Sequence, residues 1–312
     1  MKKTLAFSAV LLFFFTFVFC AIADAQQSQK KGEGPWPVYA ITFGDGLIYT
    51  SLDGNTWTLR NSGTNIPLHS LVFGRDKFVA VGAKGTIVTG SRDGLNWNTV
   101  SSGVVLDLWA VIFAKNIFIA VGEDGVVITS PDGVTWTKNA VLCPGQIVKN
   151  ITYGYKNSKY HPGSGYFLAI SNTGQIFKSY DALTWESQLM KYANNLSCLI
   201  YANDLFIAVG TRGRIMTSAI GFGEWLTWFD RYSATMEHLL TITYGNGTYV
   251  AAGDDGTIMI SRDLTSWNVV ESGRNSRLAA AAYGRGKFIV VGTDGTILTS
   301  NDAINWSEAA KN

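Results

Sequence analysis

The chain has 312 residues, of which 47% are apolar and only 15% are charged, and its formal net charge is +2. This composition is too apolar for a disordered chain, and the near-neutral charge argues against a nucleic-acid binder that relies on neutralising phosphates. The 33 glycines and 10 tryptophans are typical of short strands joined by tight turns.

Residues 1–25 have the pattern of a secretory signal peptide. Two lysines precede an apolar run from Leu5 to Ile22, and the small-residue site Ala23-Asp24-Ala25 follows it. We therefore expect cleavage after Ala25 and export to the periplasm or the exterior, with no membrane span left in the mature chain. An uncleaved anchor is the alternative, because the apolar run is long for a signal peptide.

Two cysteines follow the leader, Cys143 and Cys198. An exported protein can oxidise such a pair, but sequence alone does not place the two side chains within the reach of a disulfide. Two buried thiols are the favoured interpretation, and a disulfide stays open.

A short motif that begins Ser-x-Asp and ends in Trp recurs along the chain. Its copies contain Asp53, Asp93, Asp132, Asp181, Asp263 and Asp302, and they end at Trp57, Trp97, Trp136, Trp185, Trp228, Trp267 and Trp306. The copy from Ser218 to Trp228 is degenerate, since it lacks the aspartate and carries extra residues. The spacing of the tryptophans averages about 41.5 residues, which is the length of a four-stranded propeller blade.

The remainder of each unit supports this interpretation. A strand such as Phe78 to Gly82 is apolar on both faces, as expected where neighbouring sheets cover both sides. A turn that ends in glycine follows, as at Lys84-Gly85. We therefore predict an all-β fold, a seven-bladed β-propeller of four-stranded antiparallel blades over residues 38–312, preceded by an N-terminal extension over residues 26–37.

The first blade is predicted to have three strands. Val38 to Thr42 aligns with the second strand of the later units, and the segment before it, Lys30 to Pro35, is polar and bounded by proline. Too few residues follow Trp306 for the C-terminus to supply the inner strand. An inner strand from Gly32 to Trp36 is the alternative.

We interpret the repeated aspartates and tryptophans as structural. An aspartate at a turn accepts hydrogen bonds from backbone N–H groups a few residues ahead, and a tryptophan buries a large apolar area between sheets. A catalytic site is needed once, whereas this motif occurs in every unit.

The motif resembles the Asp-box of BNR repeats, which is found in sialidases and other β-propellers. The resemblance covers about residues 38–309, although the copies are one residue shorter than the usual form. Units such as Val121 to Trp136 are most similar to exported bacterial propellers grouped with photosystem II stability/assembly factors. The resemblance implies a propeller that serves as an assembly or interaction scaffold.

The sequence indicates no enzyme, cofactor or metal site. The Phe/Tyr-Arg-Ile-Pro segment expected from sialidases is absent, no Gly-x-Ser-x-Gly elbow occurs, and the three histidines are not paired at metal-ligand spacing. We expect a non-catalytic monomer, and a divergent sialidase-like glycosidase is the least favoured alternative.

One face of the propeller is predicted to bind the partner, because the hairpins between second and third strands and the connections between blades meet there. The candidate residues on this face are Trp109, Glu123, Tyr192, Arg212, Arg214, His238, Asp254 and Asp255. Arginine, tyrosine and histidine suit an interface with a protein partner.

A carbohydrate-binding propeller is the alternative function. Two irregular units supply aromatic side chains that would stack on sugars. One unit has an insertion from Tyr155 to Gly165, and the other has the degenerate motif with Phe222 and Trp225.

Overall fold

The computed structural model describes residues 19–22, 39–158, 161–189, 195–219 and 226–312. For residues 19–22, 156–158, 161–164 and 219 it describes the backbone alone. The rest of the predicted leader, the N-terminal extension, Tyr192, Phe222 and Trp225 lie outside the described residues. No described helix is long and apolar enough to cross a membrane.

Seven sheets of consecutive strands make up the described part of the chain. The first three blades contain β1 Phe19–Ile22, β2 Tyr39–Thr42, β3 Ile48–Ser51, β4 Thr56–Arg60; β5 Leu68–Gly74, β6 Lys77–Gly82, β7 Ile87–Ser91, β8 Trp97–Val100; and β9 Leu108–Ala114, β10 Ile117–Gly122, β11 Val126–Ser130, β12 Thr137–Val141. Blades 4 and 5 contain β13 Val148–Ser158, β14 His161–Ser171, β15 Gln175–Ser179, β16 Glu186–Leu189; and β17 Leu196–Ala202, β18 Leu205–Gly210, β19 Ile215–Ala219, β20 Phe229–Arg231. Blades 6 and 7 contain β21 Leu239–Gly245, β22 Thr248–Gly253, β23 Ile258–Ser261, β24 Asn268–Val270; and β25 Leu278–Gly284, β26 Lys287–Gly292, β27 Ile297–Ser300, β28 Ser307–Glu308, after which the chain ends with β29 Ala310–Lys311.

The core consists of the layers between adjacent blades. On the second strand of blade 3, Phe118 and Ala120 belong to the apolar cluster shared with blade 2. Ile119 and Val121 on the same strand belong to the cluster shared with blade 4. Because successive residues of a strand point to opposite faces, a strand between two other sheets must be apolar at every position.

The first strand of each blade is the innermost. The inner strands β5, β9, β13, β17, β21 and β25 contact one another in chain order, and β1 contacts both β5 and β25. The inner strands therefore form a closed ring. The chain is a seven-bladed β-propeller, and the prediction from the motif spacing is confirmed.

The prediction of a three-stranded first blade is wrong. Phe19–Ile22 pairs antiparallel with Tyr39–Thr42 and supplies the inner strand, from within the segment predicted to be the leader. β1 contacts the inner strands β5 and β25, so its backbone occupies the position that the first strand fills in each later blade. The alternative strand, Gly32 to Trp36, lies outside the described residues.

The C-terminus closes the ring at its outer edge. Ala310 and Lys311 pair in parallel with Thr56 and Trp57 of blade 1, so that the first sheet has five strands. The Ala310 N–H donates to the Asn55 carbonyl over 2.8 Å. The residues after Trp306 therefore pair at the outer edge of blade 1, next to β4.

The insertion predicted in blade 4 lengthens the first hairpin of that blade. β13 and β14 have 11 residues each, whereas the corresponding strands of blade 2 have seven and six. Tyr155 lies opposite Gly165 in this extension. The extension contacts the next blade, because the Tyr201 hydroxyl donates to the Tyr155 carbonyl over 2.5 Å.

Candidate partner-binding site

The turns that contain the repeated aspartate motif lie on one face of the ring: residues 51–56, 91–96, 130–135, 179–184, 261–266 and 300–305. We call this the Asp-box face, after the motif that these turns resemble. In blade 4 the Asp181 carboxylate accepts hydrogen bonds from the backbone N–H groups of Leu183 and Thr184, each over 2.8 Å. Those bonds, from Thr184 first and then Leu183, lower the pKa of Asp181 to about 2. The carboxylate is thus held ionised by its own turn, as a structural group is.

The same arrangement recurs around the ring. Asp132 accepts from Val134 and Thr135 over 2.8 and 2.7 Å, and Asp302 accepts from Ile304 and Asn305 over 2.8 Å each. The indole nitrogen of the motif tryptophan donates to a carbonyl three residues earlier in five blades, namely at Trp57, Trp97, Trp136, Trp185 and Trp306. Chemistry repeated in this way specifies the fold of the blade.

The opposite face, which we call the connection face, consists of the tight turns between second and third strands and the chain between blades. In blades 2 to 7, hydrogen bonds join this turn to a connection beside it. In blade 6 the Asp254 N–H donates to the His238 carbonyl over 2.9 Å, and the Gly256 N–H donates to the Ser276 carbonyl over 3.0 Å. The turn is thereby fixed between the connection that enters its blade and the connection that leaves it.

Glycine is required at the corresponding turn of blade 5. Gly213 has φ of +67°, in the left-handed region, and a Cβ added to it would lie 2.1 Å from the Thr235 carbonyl oxygen. The Gly213 N–H donates to the Glu237 carbonyl over 2.7 Å. This close approach holds the connection to blade 6 against the turn that carries Arg212 and Arg214.

An open cavity of about 670 Å³ lies at this point of the connection face. Its walls come from the tight turn of blade 5, the end of β20 and the connection to blade 6. The lining residues are Asn195, Thr211, Arg212, Gly213, Arg214, Asp230, Arg231, Tyr232, Ser233, Thr235, Met236 and His238. Three of the residues predicted from the sequence, Arg212, Arg214 and His238, are therefore brought together in one cavity.

Neighbouring groups orient two of the cavity's three arginines. The Arg231 Nε donates to the Thr217 Oγ1 over 2.8 Å. The Arg214 Nε lies 3.7 Å from an oxygen of Asp230, in a pair that is partly exposed to solvent. Because Asp230 is the only carboxylate among the lining residues, the cavity carries a net positive charge.

A second group of charges follows His238 around the same face. The Asp254 carboxylate lies 3.6 Å from the His238 Nδ1 through one oxygen and 3.3 Å from the Arg277 Nε through the other. The predicted residue Asp254 thus connects the cavity to the connection that enters blade 7.

The other predicted residues lie elsewhere on this face. Glu123 accepts a hydrogen bond from the Asp107 N–H over 3.2 Å in blade 3. Asp255 is exposed at the apex of its turn, with φ of +53°. Trp109 stacks on His69 at the start of blade 3's inner strand. The structure therefore does not gather these three into the cavity, and Tyr192 lies outside the described residues.

Lys149 is a charged residue that the sequence analysis did not single out. It lies near the start of β13, in a strand that is otherwise apolar or uncharged up to Tyr155. Burial lowers the pKa of Lys149, and the charge of Arg277 lowers it further. The sequence signal for this residue is a lysine in an innermost strand, which becomes visible when the inner strands of the seven units are aligned.

The two cysteines are free thiols in different interblade layers. Cys143 packs between blades 3 and 4, and Cys198 packs between blades 5 and 6. Burial raises the pKa of the Cys143 thiol to about 11 and also raises that of Cys198. Within the described part of the chain, no three His, Cys, Asp or Glu side chains lie together as ligands for a metal ion.

No protein-family model matches this chain, and no curated protein sequence matches it. Solved structures do match. YCF48 from Cyanidioschyzon merolae superposes with a TM-score of 0.69 at 15% identity, over 92% of this chain and 96% of that chain. The WD40 β-propeller domain of Doa1 superposes with a TM-score of 0.65 at 15% identity, over 85% of this chain and 90% of that chain.

The β-propeller domain of Myceliophteria thermophila Cps50 (Swd1) gives a TM-score of 0.63 at 12% identity, over 82% of this chain and 90% of that chain. At these identities the similarities show the propeller fold. Function must therefore be argued from the site.

Proposed function

We propose that this protein is an exported, non-catalytic propeller of the Asp-box type that binds a protein partner through its connection face. An acidic segment of the partner occupies the cavity lined by Arg212, Arg214 and Arg231. The observation that carries the proposal is this cavity, in which three arginines and one carboxylate converge.

The chemistry of the cavity favours a protein ligand. Guanidinium groups bind carboxylates through paired hydrogen bonds, and a positively charged concave surface steers acidic partners toward it. Beside the arginines, Tyr232 is 83% exposed and Met236 is 74% exposed. Arginine and large apolar side chains in one patch are typical of the centre of a protein interface.

The carboxylates support a non-catalytic role. Glycoside hydrolysis uses two carboxyl groups on opposite sides of the scissile bond, whereas Asp230 is alone in the cavity and lies against Arg214. The Asp-box aspartates accept hydrogen bonds from their own turns, and their low pKa suits them poorly to act as acids near neutral pH.

Export and the Asp-box assignment rest on the sequence. The leader pattern of residues 1–25 supports secretion, and the repeated motif supports a place among the assembly-factor-like propellers that it resembles. N-terminal sequencing of the exported protein tests the first point: a chain that begins at Gln26 supports it, and an intact Met1 contradicts it.

The binding proposal is tested by site-specific photo-crosslinking in cells that export the protein. A photoreactive residue at Tyr232 is expected to crosslink to one protein, and the same group at Tyr180, which is exposed on the Asp-box face, is expected to give no such product. Arg212→Glu with Arg214→Glu should abolish the crosslink. Arg262→Glu, an exposed arginine on the Asp-box face, is the matched control and should retain it.

Two results would contradict the proposal: crosslinks of equal yield from both faces, or a crosslink that survives the double charge reversal. Once the partner is identified, its affinity for this protein should fall as the salt concentration rises, because the cavity is open to solvent and salt screens its charges.

A glycan that bears a carboxylate is the second candidate ligand, since the same three arginines would hold a sugar acid. Binding of purified protein to sialosides on a glycan array, lost in Arg212→Ala, favours this candidate over a protein partner. Hydrolysis of those sialosides would overturn the non-catalytic assignment.

A further inference from the structure

Two small cavities lie on the Asp-box face, each between the motif turn of one blade and that of the next. The first, of about 290 Å³, lies between blades 1 and 2, and the second, of about 330 Å³, lies between blades 6 and 7. All but one of the residues that line each cavity occupy equivalent positions of the repeat. Asp53 corresponds to Asp263, for example, and Asp93 corresponds to Asp302. The fold therefore builds the same cavity twice.

The motif carboxylates in the first cavity keep one oxygen for a ligand. The Asp53 Oδ1 accepts hydrogen bonds from the backbone N–H groups of Asn55 and Thr56, over 2.8 and 2.9 Å. The Asp93 Oδ1 accepts one from the Leu95 N–H over 3.0 Å. The Oδ2 atoms of both aspartates accept no hydrogen bond from another described residue. Because an ionised carboxylate only accepts hydrogen bonds, these atoms suit a ligand that donates them.

One arginine accompanies the two carboxylates in each cavity, although it comes from different positions of the repeat. Arg60 lies in β4, and its Nε donates to the Thr50 Oγ1 over 2.8 Å. Arg262 lies within the motif turn of blade 6. Carboxylates outnumber arginine in both cavities, so an anionic ligand would be repelled. The arginine adds hydrogen-bond donors to the acceptors of the carboxylates.

A buried hydroxyl group points to a ligand in the second cavity. Thr248 begins β22 and lines this cavity, and it is only 8% exposed. Its hydroxyl makes no hydrogen bond to another described residue. Buried hydroxyl groups normally have a hydrogen-bond partner. The Thr248 hydroxyl is therefore available to a polar ligand that enters the cavity.

An aliphatic side chain borders each cavity. Leu95 and Ile304 occupy the same position of the repeat, and they are 55% and 53% exposed. A sugar ring presents apolar C–H groups on its faces and hydroxyl groups, which both donate and accept, around its edge. The combination of an aliphatic wall, carboxylates, hydroxyls and one arginine matches both kinds of surface.

We propose that these two cavities are equivalent binding sites for neutral hexose units of a glycan. Their volumes lie at or near the small end of the range of about 300–1,000 Å³ for ligand cavities, which suits one sugar ring. The motif supplies the walls, and Thr248, Arg60 and Arg262 add polar groups that the motif does not specify. No residue of the blade 5 cavity takes part, so these sites do not depend on the proposed protein partner.

The first test is a glycan array with the purified protein. The array carries oligosaccharides of glucose, galactose and mannose, together with uronic acids and protonated amino sugars. We expect the protein to bind a neutral hexose oligosaccharide best. Calorimetric titration with the disaccharide of that hexose should then give two bound molecules per chain, one for each cavity.

Variants assign the two bound molecules to the two cavities. Thr248→Val with Asn268→Ala removes polar groups from the second cavity, and Thr58→Val with Arg60→Met does so in the first. Each pair should weaken binding at its own cavity about tenfold or more, because it removes hydrogen bonds to the ligand. Each pair should therefore leave one strong site, and the four changes together should leave none.

Thr137→Val is the matched control. Thr137 is exposed and directly follows the motif tryptophan of blade 3, as Thr58 does in blade 1, but it lines neither cavity. This variant should bind as the wild type does. The disaccharide should also raise the Tm of the wild type and leave that of the four-residue variant unchanged. If Thr248→Val fails to fold, Asn268→Ala alone, at an exposed residue, should still weaken binding at the second cavity.

Three results would overturn the proposal: no neutral hexose binds, uronic acids or amino sugars bind best, or the four-residue variant binds the disaccharide as the wild type does. Arg212→Glu with Arg214→Glu separates this site from the proposed function, because it should remove the protein partner and leave sugar binding intact. Linear homo-oligosaccharides and branched protein-linked glycans on the array distinguish the sources of the hexose. Tighter binding of the first indicates a polysaccharide, and tighter binding of the second indicates a glycoprotein.

Discussion

The two faces of this propeller differ in how closely their side chains repeat from blade to blade. On the Asp-box face, motifs such as those around Asp132 and Asp302 make the same hydrogen bonds to their own turns. On the connection face, equivalent positions carry different residues: the second residue of the inner strand is His69 in blade 2 and Lys149 in blade 4. Repetition therefore identifies what holds each blade together, and departure from it identifies candidate binding residues.

Acid should produce the largest effect, and it should act through the Asp-box face. Asp181 and Asp263 both have a pKa of about 2, below their ordinary 3.8, because backbone N–H groups hydrogen-bond to them. A folded-state pKa below the unfolded one gives stability that is present above about pH 4 and is lost as the pH falls toward 2. Urea unfolding from pH 7 to pH 2 should show the midpoint falling within that window.

The Asp181→Asn variant should be less stable at pH 7 and should lose less stability on acidification than the wild type does. A midpoint that stays constant from pH 4 to pH 2 would contradict a structural role for these carboxylates.

Removal of a motif tryptophan should have the next largest effect. Trp57 is fully buried between blades 1 and 7. Trp57→Ala should lower the free energy of unfolding by about 3–5 kcal/mol, measured by urea denaturation. Leu52→Ala in the same motif is the control: Leu52 is 52% exposed, and its loss should cost less than about 0.5 kcal/mol. Similar losses from both variants would show that burial at the blade interface is not decisive.

Removal of the leader should loosen one edge of the ring. β1 Phe19–Ile22 would leave with residues 1–25, and the backbone edge of Tyr39–Thr42 would lose its hydrogen-bonded neighbour. In a chain that begins at Gln26, we expect amide exchange in Tyr39–Thr42 to be about tenfold faster than in the full chain, equivalent to about 1.4 kcal/mol of local stability. Hydrogen exchange detected by mass spectrometry measures this.

Phe118–Val121 of blade 3 is the internal control, because its neighbours are unaffected by the truncation. Unchanged protection of Tyr39–Thr42 would mean that another segment fills the inner position of blade 1.

The exposed side chains of the cavity on the connection face should contribute least to stability. Arg212 is exposed at a turn and lines the cavity. Arg212→Ala should change the free energy of unfolding by less than about 0.5 kcal/mol, measured by urea denaturation beside Trp57→Ala. If Arg212→Ala lowers the free energy of unfolding by more than about 1 kcal/mol, this arginine stabilises the fold, and the contrast between the two faces does not hold.

Much of the architecture was predictable because it is encoded locally. Asp53 finds its hydrogen-bond donors within three residues, and Gly85 defines its turn through its own φ. Such features recur at a fixed interval, so the sequence predicts the number of blades and the position of each turn. It also predicts that Arg212, Arg214 and His238 share one face, because equivalent positions of a repeat lie on the same face, and the structure brings the three together at one cavity.

The inner strand of blade 1 was not predictable in the same way. Its residues are separated from β2 by a long connection, whereas only two residues join the inner strand of blade 2 to the next strand. Pairing over such a connection depends on which segment suits the space between blades 7 and 2. No local pattern specifies that space.

The sequence by itself determined the repeating unit and the seven blades, since each rests on contacts within one unit or on burial that recurs from unit to unit. Only the tertiary structure decided how the ring closes and which arginines share the cavity in blade 5. Those relations join residues far apart in the chain, and they exist only once seven blades surround a common axis.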